Sequence, residues 1–154
     1  MGMETELLLF EDKLRRDIKA AADLMLPEEL PGITEELFGL YEKNGNRTAY
    51  ERVYFRRRKF LAVFGLEAVA QSENTGYVEK CILEKLIQII DETCAEKCWA
   101  LPPHVNRTEE KWWLTVDLFA SETAQTLSEL SDRLKGFLPK ETLVTIRENV
   151  EERV

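Results

Sequence analysis

Residues 48–71 read Thr48-Ala49-Tyr50-Glu51-Arg52-Val53-Tyr54-Phe55-Arg56-Arg57-Arg58-Lys59-Phe60-Leu61-Ala62-Val63-Phe64-Gly65-Leu66-Glu67-Ala68-Val69-Ala70-Gln71, and this stretch decides the fold class. Thr48 followed by Glu51 has the spacing of a capping box, in which hydroxyl and carboxylate satisfy each other's backbone donors. A helix is therefore predicted to start there and run to about Gln71. Its second half, from Phe60 to Ala70, holds a single charge, Glu67. A helix apolar on all sides is predicted to be buried on all sides.

Working outward, Ser72 to Gly76 turns the chain, and a helix from Tyr77 to about Cys94 follows. It directs Cys81, Ile82, Leu86, Ile89 and Ile90 one way and Lys80, Glu84, Gln88 and Asp91 the other. The pairing recurs. Asp117 can cap a helix carrying Leu118, Phe119, Ala120, Ala124, Leu127 and Leu134, which Gly136 ends. Pro139 then suits the first turn of another, where Leu143, Ile146 and Val150 oppose Lys140, Arg147, Glu148 and Glu151. Upstream, Leu7, Phe10, Leu14, Ile18, Ala21 and Met25 form one stripe of a helix over residues 4–25, stopped by Pro27 and Pro31-Gly32. Thr34 caps a short helix with Leu37, Leu40 and Tyr41 as its apolar contacts, before Asn44-Gly45-Asn46 breaks the chain. The expectation is an all-α fold of about six helices in antiparallel αα-hairpins. In each hairpin a dry helix lies inside and an amphipathic one outside, a plan that builds α/α solenoids and toroids. Residues 1–154 then form one helical domain, with the N-terminal helices in 1–45 and the hairpins in 46–154.

Composition agrees with a single folded unit. The chain has 154 residues, 44% hydrophobic and 32% charged, and no stretch approaches the roughly 20 apolar residues of a membrane span. A net charge of −8 disfavours nucleic acid and anionic membranes as partners. Leu7-Leu8-Leu9-Phe10 is too short for a signal peptide and has Glu4 and Glu6 before it. With three cysteines, an odd number, the expected setting is reducing and cytoplasmic, unless a leader was trimmed from the chain.

One connection is out of proportion. Ala95 to Val116 holds all three tryptophans, Pro102-Pro103 and the single histidine, and loops this long tend to be functional. Taken in order, several stretches resemble the helical N-terminal domain of heparinase II/III-like proteins: Tyr54-Phe55-Arg56-Arg57-Arg58, Gly76-Tyr77, Trp99-Ala100-Leu101-Pro102-Pro103-His104, Asp117-Leu118-Phe119-Ala120-Ser121-Glu122-Thr123-Ala124, Ile146-Arg147-Glu148 and Glu151-Glu152-Arg153. The likeness covers about residues 50–154. It implies part of an incomplete (α/α) toroid, alginate-lyase-like, at the front of a polysaccharide lyase that cleaves uronate-containing glycans by β-elimination. The family's catalytic Asn-His and Tyr positions lie on later helices and β domains, so the resemblance implies a fragment that is inactive alone and packs against C-terminal domains of the same chain. Trp112-Trp113 is bulkier than the family pattern.

β-Elimination needs a base, a group that neutralises the uronate carboxylate, and an acid for the leaving oxygen. His104 alone cannot supply all three, and no residue of this chain is expected to be catalytic. The expected substrate-binding residues are His104, Trp99, Arg57 and Trp112, with the indole of Trp99 stacking on a sugar and the imidazole touching a hydroxyl or carboxylate. Against this stands a packing role, in which the tryptophans and Pro102-Pro103 fasten the loop to the helix ends and His104 caps a carbonyl. Arg52, Arg56, Arg57, Arg58 and Lys59 form a basic run suited to an anionic sugar. Helical spacing spreads these residues over two sides, so ion pairs with Glu51, Glu67 or the first helix compete for them. Cys94, Cys98 and His104 lack the spacing and the fourth ligand of a zinc site, and no metal or cofactor is expected. The sequons at Asn46 and Asn106 are of chance frequency. The alternative function is a non-catalytic helical repeat module for protein or interdomain packing. An uncovered toroid flank leads to an expectation of self-association.

Overall fold

The helix that begins at Thr48 runs farther than its sequence suggests, to Thr75. Ser72 Oγ and Thr75 Oγ1 fold back onto the carbonyls of Val69 and Gln71, which absorbs the polar tail into the helix. Gly76 then closes it at φ 68, a left-handed conformation open to glycine at no steric cost. Its start also differs. The capping box does not form, because Glu51 is engaged by Arg47, and the side chain of Asn46 caps the backbone N–H of Ala49 instead.

The computed structural model describes residues 3–154, and among these there are six α-helices and no strand. They are α1 (Met3–Met25), α2 (Glu35–Asn44), α3 (Thr48–Thr75), α4 (Lys80–Cys94), α5 (Leu118–Arg133) and α6 (Lys140–Arg153). Thr34 and Asp117 cap α2 and α5 as read from the sequence, accepting from the N–H of Leu37 and of Ala120. The fold is all-α. Short connections make hairpins of α3 with α4 and of α5 with α6, and the two hairpins meet through α3 against α5 and α4 against α6. The main core joins Phe60, Leu61 and Phe64 of α3 to Ile82, Leu86, Ile89 and Ile90 of α4, Leu127 and Leu130 of α5, and Ile146 of α6. At Gly65 the side chain of Leu130 comes so close that a Cβ would stand 2.9 Å from its Cδ2. A second core gathers Phe38, Tyr50, Tyr54, Cys98, Ala100 and Leu101, which fastens α2 and the long connection to the start of α3.

Three expectations fail on packing. The dry helices are not sealed: Leu66 of α3 is 52% exposed, and α5 presents Glu122, Gln125 and Glu129 to solvent. A helix can bury only the faces that neighbours cover, and among the described residues none packs over Ala62 and Leu66, which line an open groove beside α5. Cys81 is exposed rather than in the core, because α4 starts at Lys80 and is entered through buried Val78 and Ile82. Of the α1 stripe only Met25 is buried, together with Ala22, while Leu7, Phe10 and Leu14 are open. Arg15 reaches Asn74 in the last turn of α3, and Glu28, just past α1, pairs with Arg56 near its start. α1 thus runs antiparallel to α3, and its first turns lie beyond the end of that helix.

At the junction of these elements, Glu96 is 4% exposed and accepts from both Arg57 and Arg58. Truncating it strands two largely buried guanidinium groups. Glu96→Ala is expected to destabilise the fold by about 3–5 kcal/mol, measured by urea denaturation; a loss under about 1 kcal/mol, the scale of a surface pair, would contradict this account.

Candidate functional site

The long connection is built onto the fold rather than looped out from it. Cys98, Trp99, Ala100, Leu101 and Pro102 are buried, and short 3₁₀ turns occupy Pro102–His104 and Trp112–Leu114. Lys111 stands before the second turn at φ 58, a left-handed conformation rare for a residue with a side chain. The first turn is aimed by Asp117. Besides capping α5, its carboxylate accepts from the backbone N–H of Leu101 at 3.1 Å, and its Oδ2 lies 2.6 Å from His104 Nδ1. With the carboxylate ionised, Nδ1 donates, and Nε2 has no partner among the described residues. His104 therefore binds a carboxylate rather than capping a carbonyl.

The imidazole stacks on Phe119, with centroids 6.1 Å apart and planes at 11°, and Phe119 meets Phe55 edge-on at 5.6 Å. The His104 side chain is 42% exposed and Phe55 45%. Beside this row lies a cleft of about 180 Å³ bordered by Tyr54, Phe55, Arg58, Phe119 and Glu122. The row crosses from the first turn of α5 to the first half of α3. It is a shallow aromatic platform ending in an exposed imidazole, an arrangement that can stack against a sugar ring and offer it a hydrogen bond.

The four residues expected to bind substrate do not converge. His104 alone belongs to the platform. Trp99 is 1% exposed; its indole N–H donates to the Thr93 carbonyl and Arg153 covers its ring at 4.7 Å, which leaves no face for a sugar. Arg57 is 3% exposed, held by Glu96, by the carbonyls of Pro31 and Glu92, and by the Glu92 carboxylate at 3.5 Å. Trp112 is half-buried against Phe38 and Trp113, with Lys97 and Arg107 over its ring, in a separate cluster. The packing role read for the tryptophans thus describes Trp99 and Trp112.

The basic run is also spread. Arg56 pairs with Glu28 and covers Phe60. Arg58 gives its fork to Glu96, its Nε to Thr123 Oγ1, and lies 4.1 Å over the Tyr54 ring. Burial works against its charge, but the Glu96 carboxylate outweighs that, and its pKa is raised. Ion pairing was expected for the run, but the partners are Glu28, Glu92 and Glu96, not Glu51 or Glu67. Arg52 and Lys59 are exposed, and among the described residues they make no ion pair or side-chain hydrogen bond.

No protein-family model matches the chain, and no curated protein matches it. The sequence places Asp117 as a helix cap and Phe119 on the apolar side of that helix, but it assigns neither of them, nor Phe55, to the site. For Phe55 helical spacing supplies a signal: Tyr54, Leu61 and Phe64 fall on one apolar stripe of α3 by their spacing, and position 55 lies off it. The contact of Asp117 with His104 has no sequence signal, since it depends on how the connection folds back.

No group of three or more metal-ligating side chains occurs among the described residues. Burial pushes the thiols of Cys94 and Cys98 up to about 11, so both are protonated and inert at neutral pH, whereas Cys81 is open. A maleimide at mildly alkaline pH is expected to modify Cys81 quickly and the other two only on unfolding; three equal rates would refute that placement. By linkage, the unfolded thiols ionise near 9.0 and the folded ones near 11, so stability falls as pH climbs through that window.

Proposed function

We propose that this helical domain is heparinase II/III-like and helps to hold a uronate-containing polysaccharide for a lyase, without cleaving it alone. One observation supports the reading: four of the six stretches that give the resemblance, those around Tyr54, Trp99, Asp117 and Arg153, meet in one connected cluster, while Gly76-Tyr77 and Ile146-Arg147-Glu148 make none of these contacts. Tyr54 Oη donates to the Trp99 carbonyl at 3.0 Å, and its ring meets Phe119 edge-on. Arg58 binds Thr123, His104 binds Asp117, and Arg153 holds the carbonyls of Glu96 and Lys97 while covering Trp99. Most of these groups build and brace; His104, Phe119 and Phe55 remain at the surface to meet a ligand. The toroid arrangement is part of this proposal, as are partner domains in a longer chain. A cytoplasmic setting is too, supported by the three unpaired cysteines. No helix is long and apolar enough to cross a membrane among the described residues.

In this reading the platform takes the apolar face of a sugar ring, and His104 Nε2 meets a hydroxyl. His104→Ala and Phe55→Ala are each expected to weaken binding of alginate or heparin oligosaccharides about tenfold, near 1.4 kcal/mol, with little change in melting temperature. Titration calorimetry and thermal melts test this. Unchanged affinity in both variants defeats the proposal.

A second reading, a non-catalytic packing module, is favoured by a groove of about 630 Å³ between α3 and α5, floored by Leu61, Ala62, Gly65, Leu66 and Val69. There the occupant is a second copy of the chain. Sedimentation velocity is expected to show concentration-dependent association that Leu66→Glu abolishes; a strict monomer at high concentration rejects this reading.

A further inference from the structure

We infer that Arg52 and Lys59 are the carboxylate-binding groups of the aromatic platform, an inference that rests on the glycan-binding reading above. Five consecutive or near-consecutive cations open α3, and tertiary structure disposes of three: Arg56 on Glu28, Arg57 on Glu96 and Glu92, Arg58 on Glu96, Thr123 and the Tyr54 ring. Arg57 and Arg58 spend their donors on the buried Glu96, on the Pro31 and Glu92 carbonyls and on Thr123, and Arg56, half-exposed, is drawn onto Glu28 and over the Phe60 ring. Arg52 and Lys59 are exposed and carry no such partner among the described residues.

Their position matters as much as their freedom. Arg52 precedes Phe55 by one helical turn and Lys59 follows it by one, so all three share a face of α3. Phe55 in turn meets Phe119, and Phe119 meets His104. The platform is thus flanked, on the side away from α5, by two cations about 10.5 Å apart along the helix axis. That separation exceeds one sugar unit, so the pair addresses acidic groups on different units of one chain, while the rings receive the apolar face of the sugar at Phe55. On the opposite border Glu122 lines the cleft and repels an anion, which orients the acidic groups toward Arg52 and Lys59. In a protein of net charge −8, such a local pair is what gives a polyanion a place to land.

The test compares wild type, the double variant Arg52→Gln/Lys59→Gln and Phe55→Ala for binding of an alginate oligosaccharide and of a neutral chito-oligosaccharide across a salt series. Both substituted side chains are exposed, so thermal melts should be unchanged. The double variant is expected to lose about tenfold or more for alginate and to flatten its salt dependence, with the weak neutral-sugar affinity unaltered. Phe55→Ala should weaken both ligands. If alginate binds wild type and double variant equally with the same salt slope, the charge assignment is wrong while glycan binding stands. If neither ligand binds wild type, both are wrong.

Discussion

The carboxylate of Glu96 is the contact on which the arrangement of this protein depends. It sits at the start of the long connection, is almost sealed from water, and receives two neighbouring guanidinium groups from α3. Each arginine carries the link onward: Arg57 to the carbonyls of Pro31 and Glu92, Arg58 to Thr123 on α5. From α6, Arg153 takes the backbone carbonyl of Glu96 itself. One acidic side chain and its own carbonyl thereby tie together the segment before α2, α3, α4, α5 and α6. Two buried positive groups around one carboxylate cannot be relaxed by moving any single helix, because each donor is anchored at both ends. Whether such a cluster adds net stability over an apolar substitute is a separate matter; its geometric effect is to fix how the connection leaves α4.

That exit angle places the aromatic platform. With Glu96 held, Trp99 drops into the core, where its N–H finds the Thr93 carbonyl, and Leu101 follows it in. The chain then presents the Leu101 N–H to Asp117, and the 3₁₀ turn carries His104 to the same carboxylate. Asp117 serves at once as helix cap, loop anchor and imidazole partner, which explains how a lone histidine on a surface segment is held in register with Phe119. The buried cluster also sorts the charges. It consumes the arginines nearest the core and leaves Arg52 and Lys59 at the rim, so the positive field is displaced from the middle of α3 to the edge of the platform.

Much of this organisation was legible in the residues. Helix number and order, the caps at Thr34 and Asp117, and the core stripe of Ile82, Leu86, Ile89 and Ile90 follow from local periodicity and capping chemistry, which operate within a few residues. The candidate site was legible only in outline. His104 stood out as the single histidine in an aromatic segment, but Trp99 and Arg57 were read as ligand-facing when each is a buried structural group. A tryptophan and a sealing arginine look the same in a string of letters whether they face a sugar or a core; the difference lies in which distant groups stand opposite. Phe55 was given no place in the site, because its 45% exposure depends on which face of α3 the neighbouring helices leave open.

What the sequence determined by itself is the set of helices, their start and stop signals and the class of fold, because those depend on hydrogen bonds and side-chain spacing along a single segment. What only the tertiary structure decided is which faces stay wet and which cations stay free. The stranded stripe of α1 follows from where α3 ends, the open flank at Leu66 from the lack of a helix over that face among the described residues, and the exposed thiol of Cys81 from how the chain enters α4. The partition of the basic run into buried clamps and surface groups follows from Glu96, a residue nearly forty positions away whose carboxylate meets Arg57 and Arg58 only once the chain has folded.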